Sequence, residues 1–265
     1  MFPKSIGTFV DLFGGGGEVS FNSDAKRVIY NDKCKQLVNI FNNLDSDFLN
    51  EVEKKIEEWN LSKSNKEEFL ALRKYYNENL DVLSDREKSI ILYCLLTHSF
   101  NNQIAFNSKG EFNTPSGVGR SYFTSQLKEK LKKYIEIKNK KDILFLSEDF
   151  TDIDVTSFGS ASEAFVYADP PYLITVGAYE RDYFCKWSEE YERKLYQYLD
   201  ELNMKGYKFA LSNVLEHKGK NNDILKKWAI RYNVHFLNYD YKNCNYQTKD
   251  KSANSSVEVL ITNYD

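Results

Sequence analysis

The sequence is short of the residues that build covalent and metal staples. Its four cysteines, Cys34, Cys94, Cys185 and Cys244, stand far apart, with no Cys-x-x-Cys among them, and its three histidines, His98, His217 and His235, are as scattered. That spacing argues against a zinc site and a disulfide framework, and suits thiols in a reducing compartment. No apolar run approaches the roughly 18 residues of a membrane-spanning helix, and the start, Met1-Phe2-Pro3-Lys4, lacks the apolar stretch of a signal peptide. A cytoplasmic protein without metal or membrane partner is the expectation. An excess of positive charge is also missing: the formal net charge is −3, so any nucleic-acid contact must come from a local basic face. Gln126 to Lys141 offers one, with seven lysines against two glutamates, although a solvated helix and its tail is the plainer explanation.

What is present reads as an α/β chain. Its 265 residues suit one large domain, or a core with an insertion. Thr8 to Phe13 is a β-branched and aromatic run leading straight into Gly14-Gly15-Gly16-Gly17, a strand entering a glycine turn. Arg27 to Tyr30 reads as a second strand, and Lys33 to Asn43 as a helix with Leu37, Val38, Ile40 and Phe41 on one face. Ser46 to Phe100 has helical spacing, with caps expected at Ser64-Asn65-Lys66-Glu67 and at Ser84. Asn101 to Tyr122 turns polar and glycine-rich, as a loop or hairpin does. Strand signals resume at Ile143 to Leu146, Ala164 to Ala168 and Lys208 to Leu211, with helices over Ser188 to Met204 and Ile224 to Tyr232. Gly206 serves as a helix stop, and His235 to Tyr241 pairs with Val257 to Thr262 as a closing hairpin. The pattern predicts a doubly wound, mostly parallel sheet from residues 1–45 and 142–265, interrupted by a mainly helical insertion over 46–141.

Two segments carry chemistry. Glycines after a strand let backbone approach a ligand closely, and Asp32 closes the second strand 18 residues after Gly14, near where dinucleotide-type folds place an acid for ribose hydroxyls. A glycine run alone is equally a flexible turn; the acid at this spacing favours a nucleoside site. No Gly-Lys-Ser/Thr follows, and Glu18 stands where a phosphate cradle needs a cation. A cofactor without phosphate, such as S-adenosylmethionine, suits the loop better than ATP or NAD. The second segment is Asp169-Pro170-Pro171-Tyr172, directly after the Ala164–Ala168 run. Two prolines fix two φ angles and remove two N–H donors. An Asp169 carboxylate and a Pro170 carbonyl can accept both N–H bonds of an exocyclic amine, and Tyr172 can stack on its ring.

Together these segments resemble the Dam-type DNA adenine-N6 methyltransferases, most closely those of the T-even phages. The resemblance runs through Phe9–Gly17, Tyr30–Phe41, Leu61–Arg73, Gly110–Gly117, Ala168–Tyr179 and Phe209–Lys220, in the family's order. It implies a Rossmann-like fold, S-adenosylmethionine as methyl donor, double-stranded DNA as partner, base flipping, and direct transfer without metal. By resemblance, Asp11 and Phe13, Gly14, Gly15 and Gly16 hold the cofactor's methionine part, Asp32 its ribose, and Asp149 with Phe150 its adenine. Asp169, Pro170, Pro171 and Tyr172 hold the target base, with Asp169 also bordering the cofactor.

Two departures from the family shape further expectations. Dam-type chains carry a glycine-lysine or asparagine-lysine element roughly 20 residues before the first strand, whereas Thr8 has only seven residues before it. The expectation is weakened cofactor binding, or a missing N-terminal segment or partner subunit. Members that read GATC place an arginine where Ala105 stands here. Alanine cannot make the bidentate guanine contact, which discriminates by about 1–3 kcal/mol. Asn102, Gln103, Pro115 and Arg120 remain as candidate base readers, although loop polarity explains Asn102 and Gln103 equally. Two other readings stay open: an RNA or protein amine or amide methyltransferase, and a DNA-binding relative that has lost catalysis or needs a partner.

Overall fold

Alternation between short apolar runs and amphipathic stretches sets the architecture. The computed structural model describes residues 1–175, 187–237 and 256–265. The described residues form two compact units, one of residues 1–33, 148–175, 187–237 and 256–265, the other of residues 34–147. The first unit begins with β1 (Thr8–Asp11), the short helix α1 (Glu18–Asn22) and β2 (Arg27–Asn31). β1 pairs in parallel with β2 from Thr8↔Arg27 to Asp11↔Tyr30. Phe9, Val10, Val28, Ile29 and Tyr30 are fully buried, as expected of strands covered on both faces.

The second unit is mainly helical: α2 (Lys35–Asn42), α3 (Phe48–Glu58), α4 (Lys66–Glu78), α5 (Asp85–His98) and α6 (Ser125–Lys140), then the strand β3 (Asp142–Leu146). α5 is its centre, with Ile90, Ile91, Leu92, Cys94 and Leu95 all buried. Ser84 starts it with a capping box. Its hydroxyl accepts from the Glu87 amide at 3.2 Å, and the Glu87 carboxylate accepts from the Ser84 amide at 3.0 Å. Such caps stabilise by about 1 kcal/mol. At α4 the cap position is Asn65, but its side chain donates back to the Asn60 carbonyl instead. Arg86 ties α5 to the start of α3, forking onto Asp45 in the turn before it and Glu51 within it at 2.9 Å.

Between α5 and α6 the polar stretch folds into a loop closed by two isolated bridges, Ser99↔Ser116 and Phe106↔Phe112. α4 supports it: the Asn77 side chain both donates to the Phe112 carbonyl at 3.0 Å and accepts from its amide at 2.9 Å. Arg73 donates to the Thr114 carbonyl at 3.1 Å. Several α6 lysines hold the fold: Lys128 pairs with Glu53, Lys132 with Glu129, and Lys138 caps the end of α2 through the Asn42 and Leu44 carbonyls.

The first unit resumes with β4 (Ala164–Ala168), α7 (Glu189–Met204), β5 (Lys208–His217), β6 (Lys220–Asn221), α8 (Asp223–Ala229), β7 (Asn233–Leu237) and β8 (Ser256–Thr262). Within this unit the strand order is β2-β1-β4-β5-β8-β7, with β6 a branch on β5. β1, β2, β4 and β5 run parallel, while β8 and β7 close the sheet antiparallel. A mostly parallel sheet with flanking helices is the α/β, Rossmann-like methyltransferase fold. Gly206, at φ +83°, ends α7 as the sequence predicts. β5 runs six residues beyond the expected Leu211, and α1 was not anticipated, being only five residues long. Of the expected closing hairpin, residues 238–241 lie outside the described residues, as do Cys185, Cys244 and the Val176–Tyr179 end of the Ala168–Tyr179 segment. No helix among the described residues is long and apolar enough to cross a membrane.

Asn77→Ala removes both partners of the Phe112 peptide at once. Leaving a half-buried N–H and C=O unpaired costs about 1–3 kcal/mol, and denaturant unfolding of the variant is expected to show that loss. Arg73→Ala, which removes one exposed-side donor, is expected to cost less.

Candidate active site

The carboxyl ends of the parallel strands bring together the first unit's expected site residues, as ligand sites in open α/β sheets require. β1 delivers Asp11 and the Phe13–Gly17 turn, β2 delivers Asp32 and Lys33, β4 delivers Asp169 to Tyr172, and β5 delivers Ser212 and Asn213. Asn31 fixes three of these segments to one another. Buried at the end of β2, its amide donates to the Leu12 and Glu148 carbonyls at 3.1 Å and accepts from the Glu148 amide at 2.9 Å.

The glycine turn is shaped by tyrosine packing. A Cβ on Gly14 would stand 2.1 Å from the Tyr30 ring, so only glycine fits. Gly15, at φ +47°, donates its amide to Asp32 Oδ2 at 2.9 Å, while its carbonyl accepts from the Tyr30 hydroxyl at 2.7 Å. Asp32 is thereby fixed against the turn.

Asp11 is a strongly perturbed carboxyl of the site. It is 1% exposed. Ser20, on α1, donates to Oδ2 at 2.6 Å, while Oδ1 has no hydrogen-bond partner among the described residues. Burial, and then the like charges of Asp169 and Asp32, push its carboxyl up to about 7 against the opposing pull of Ser20 and the Phe13 amide. Asp169 is also raised, first by burial and then by Glu258. Tyr172 donates its hydroxyl to Asp169 Oδ1 at 2.8 Å and lies 3.2 Å from Ser212 Oγ. Burial and the Asp169 charge push the Tyr172 phenol well up, so it stays a protonated donor. Pro170 is buried and Pro171 half-buried.

Asp149 and Phe150 open a short 3₁₀ turn, Phe150–Asp152. Asp149 accepts from the Thr151 amide at 3.1 Å, from Lys33 Nζ at 2.8 Å and from the Tyr191 hydroxyl at 3.3 Å. Burial opposes its ionisation, but Lys33 and Thr151 outweigh it and hold the carboxyl below its ordinary range. Phe150 meets Phe13 at 5.4 Å between ring centroids, Trp187 at 6.0 Å and Tyr198 at 6.0 Å. Trp187 in turn is held by Glu192, a fully buried carboxylate that also accepts from Tyr196, Asn213 and Asn222.

Sequence reasoning did not single out Ser20, Asn31, Lys33, Trp187, Tyr191 or Ser212. Lys33 had a signal, a cation directly after Asp32 in the sequence. Trp187 had one too, a tryptophan just ahead of the α7 cap. The others come from segments whose approach only the sheet order shows.

The expected base readers lie in the second unit's loop. Asn102, like Asn101 before it, has positive φ, +52° and +54°. Phe100 donates its amide to the Pro115 carbonyl at 2.9 Å, and Ser99 Oγ donates to the Gln103 carbonyl at 3.0 Å, so Asn102, Gln103 and Pro115 share one small structure. Asn102, Pro115 and Arg120 are exposed and Gln103 is half-buried. Ala105 contributes its carbonyl to the Asn113 amide at 3.0 Å.

A carboxyl whose folded value exceeds its unfolded value favours folding below the unfolded pKa near 4, and that preference is lost as pH rises to about 7. Asp11→Asn should therefore gain stability relative to the natural chain between pH 4 and pH 8. The expected gain is on the order of 2–4 kcal/mol, read from denaturant midpoints at the two pH values. A pH-independent difference would mean Asp11 ionises normally in the fold.

A family model described as D12 class N6 adenine-specific DNA methyltransferase matches residues 1–256. The chain is 40% identical over 273 residues to the modification methylase StsI of Streptococcus sanguinis. It is 41% identical over 270 residues to the type II methyltransferase M.FokI of Planomicrobium okeanokoites. Each match covers 100% of this chain and 40% of the relative, so the chain spans about two fifths of their length. A DNA adenine methylase of Vibrio cholerae is 28% identical over 168 residues, covering 62% of this chain and 55% of its own. The strand-end turn, the glycine loop and these matches agree, and the chain belongs to the D12 class N6 adenine-specific DNA methyltransferases.

Proposed function

We propose that this chain transfers a methyl group from S-adenosylmethionine to the N6 amine of an adenine flipped out of double-stranded DNA. The observation that carries the reading is the Asp169-Pro170-Pro171-Tyr172 turn at the end of β4, beside an acid-lined glycine loop. The fit to the cofactor rests on charge. Asp169 and Asp32 both oppose the ionisation of buried Asp11, and Asp11 keeps a buried oxygen without a partner among the described residues. Such a pocket favours a cation and disfavours phosphate.

Asp11 would accept from the cofactor's ammonium, Asp32 from its ribose hydroxyls, and Asp149 from its adenine, with Phe13 and Phe150 as the apolar wall and Gly14 to Gly16 as the close backbone. When bound, the sulfonium supplies an already activated methyl group. The residues then supply position and orientation. Asp169 and the Pro170 carbonyl accept from the target amine, turning its lone pair toward the donor. Tyr172 releases Asp169 and stacks on the base. The base reaches this pocket only by leaving the duplex.

The second unit, over its Asn102, Gln103, Pro115 and Arg120 loop, reads the target. Ala105 offers no guanine contact, so the target differs from strict GATC or is relaxed. The printed names of the relatives, a modification methylase and a type II methyltransferase, support modification of DNA within a restriction system as the setting.

Incubating the protein with labelled S-adenosylmethionine and DNA, RNA or protein separates the readings. Label is expected on duplex DNA alone, and mapping of N6-methyladenine is expected to give a site other than strict GATC. Asp169→Ala is expected to lower kcat by at least about 10³-fold while the cofactor still binds. Methylation at the natural rate by that variant would refute the role of the carboxylate. Affinity for the cationic cofactor is expected to rise with pH through about 7, as Asp11 loses its proton. Calorimetry at pH 6 and pH 8 measures it, and the same titration decides whether a chain with this start binds the cofactor weakly.

A further inference from the structure

β5 outruns its parallel neighbours. Its pairing with β4 ends at Ala168↔Leu211, the level where the Asp169–Tyr172 turn begins, yet the strand continues to His217. Six more residues at about 3.3 Å each carry it about 20 Å along that direction. A register shift between Val214 and Glu216 bends it on the way. The chain then reverses through Lys218 and Gly219 into β6, pairing Glu216↔Asn221 and His217↔Lys220.

The tip of this hairpin is basic and strained. Lys218 has φ +48° and Gly219 φ +77°, the two positive values of a type I′ turn, whose first position ordinarily takes Asn, Asp or Gly. A lysine there strains the backbone where an asparagine would not. Lys218 and Lys220 are both exposed, and neither ammonium has a hydrogen-bond or ion-pair partner among the described residues. Glu216, the carboxylate of the same hairpin, is taken by Lys226 at 2.6 Å. Burial and then these two ammonium groups hold the His217 imidazole below its ordinary value, against the opposing charge of Glu258.

We infer that the Lys218–Lys220 hairpin is a phosphate-backbone contact for the duplex whose target base enters at Asp169. The inference rests on the proposed DNA reaction and adds a contact that the base-reading loop does not supply. Duplex grooves are about 8 Å deep and backbone charges recur every 1.7 Å or so. DNA seated over the strand ends therefore carries its phosphates through the height that this hairpin occupies. Two free ammonium groups with no sequence-reading geometry suit a phosphate rail better than base edges.

Binding of a short adenine-containing duplex by Lys218→Ala/Lys220→Ala, measured by anisotropy over a salt series, tests this. Each lost phosphate contact should flatten the plot of log affinity against log salt by about 0.9, so the double variant should lose about 1.8 of the natural slope. Lys218→Arg/Lys220→Arg should retain it. Lys218→Asn should lose about half as much while melting at or above the natural temperature, because it relieves the turn; that opposite pair of changes excludes misfolding as the cause. Equal slopes for the natural chain and the double alanine variant would overturn the inference. A natural chain that binds no DNA at all would overturn the methyltransferase reading instead.

Discussion

Three carboxyl groups stand at the ends of β1, β2 and β4, and the burial of one of them, Asp11, sets the electrostatics of the site. Asp11 is buried, with Asp169 and Asp32 both opposing its charge. A buried carboxylate costs several kcal/mol unless a proton, a cation or hydrogen-bond donors join it. The fold partly offsets this. Ser20 donates to Asp11, the Gly15 amide to Asp32 and Tyr172 to Asp169. Each acid thus receives neutral donors, yet Asp11 Oδ1 has no hydrogen-bond partner among the described residues. In the proposed reaction a cationic cofactor with N–H and O–H donors would complete the set, so local instability and cofactor selectivity would have the same origin.

The neighbouring subsite obeys the opposite rule. Asp149 is paired with Lys33 and sits below its ordinary range, beside an aromatic wall of Phe13, Phe150 and Trp187. That wall is braced from behind by Glu192, buried and surrounded by four donors from Trp187, Tyr196, Asn213 and Asn222. One carboxylate thereby links the wall, α7, the middle of β5 and the cap of α8. These aromatic residues are packed and their acid is paired with Lys33, whereas Asp11 keeps a buried oxygen without a partner among the described residues.

The sequence made legible what depends on local covalent geometry. Strand ends, a glycine turn and a double proline are punctuation that needs no tertiary context, so β1, β2, β4 and the two turns could be placed from residue order. The Ser84 box was legible for the same reason, since it closes within one helical turn. Less legible was whatever depends on register between distant strands. Nothing local says that Asn31 will reach Glu148, that Ser212 will stand beside Tyr172, or that Glu192 will gather donors from four places. The length of β5 was hidden too, because Asn213 interrupts its apolar run. That residue is buried with its amide on Glu192, so it reads as a strand break in sequence and serves as a buried tie in the fold.

The same distinction explains how the α6 lysines should be read. Seven lysines in one stretch suggest a nucleic-acid face, yet Lys128, Lys132 and Lys138 have carboxylate or helix-end partners within the second unit. Charge density in a sequence counts cations; only the fold shows which are already neutralised. Lys218 and Lys220 form a smaller cluster that no composition window detects, but without carboxylate partners among the described residues. Counterion release depends on the charges left over, so for the proposed DNA contact two lysines without partners among the described residues count for more than several paired ones on a helix.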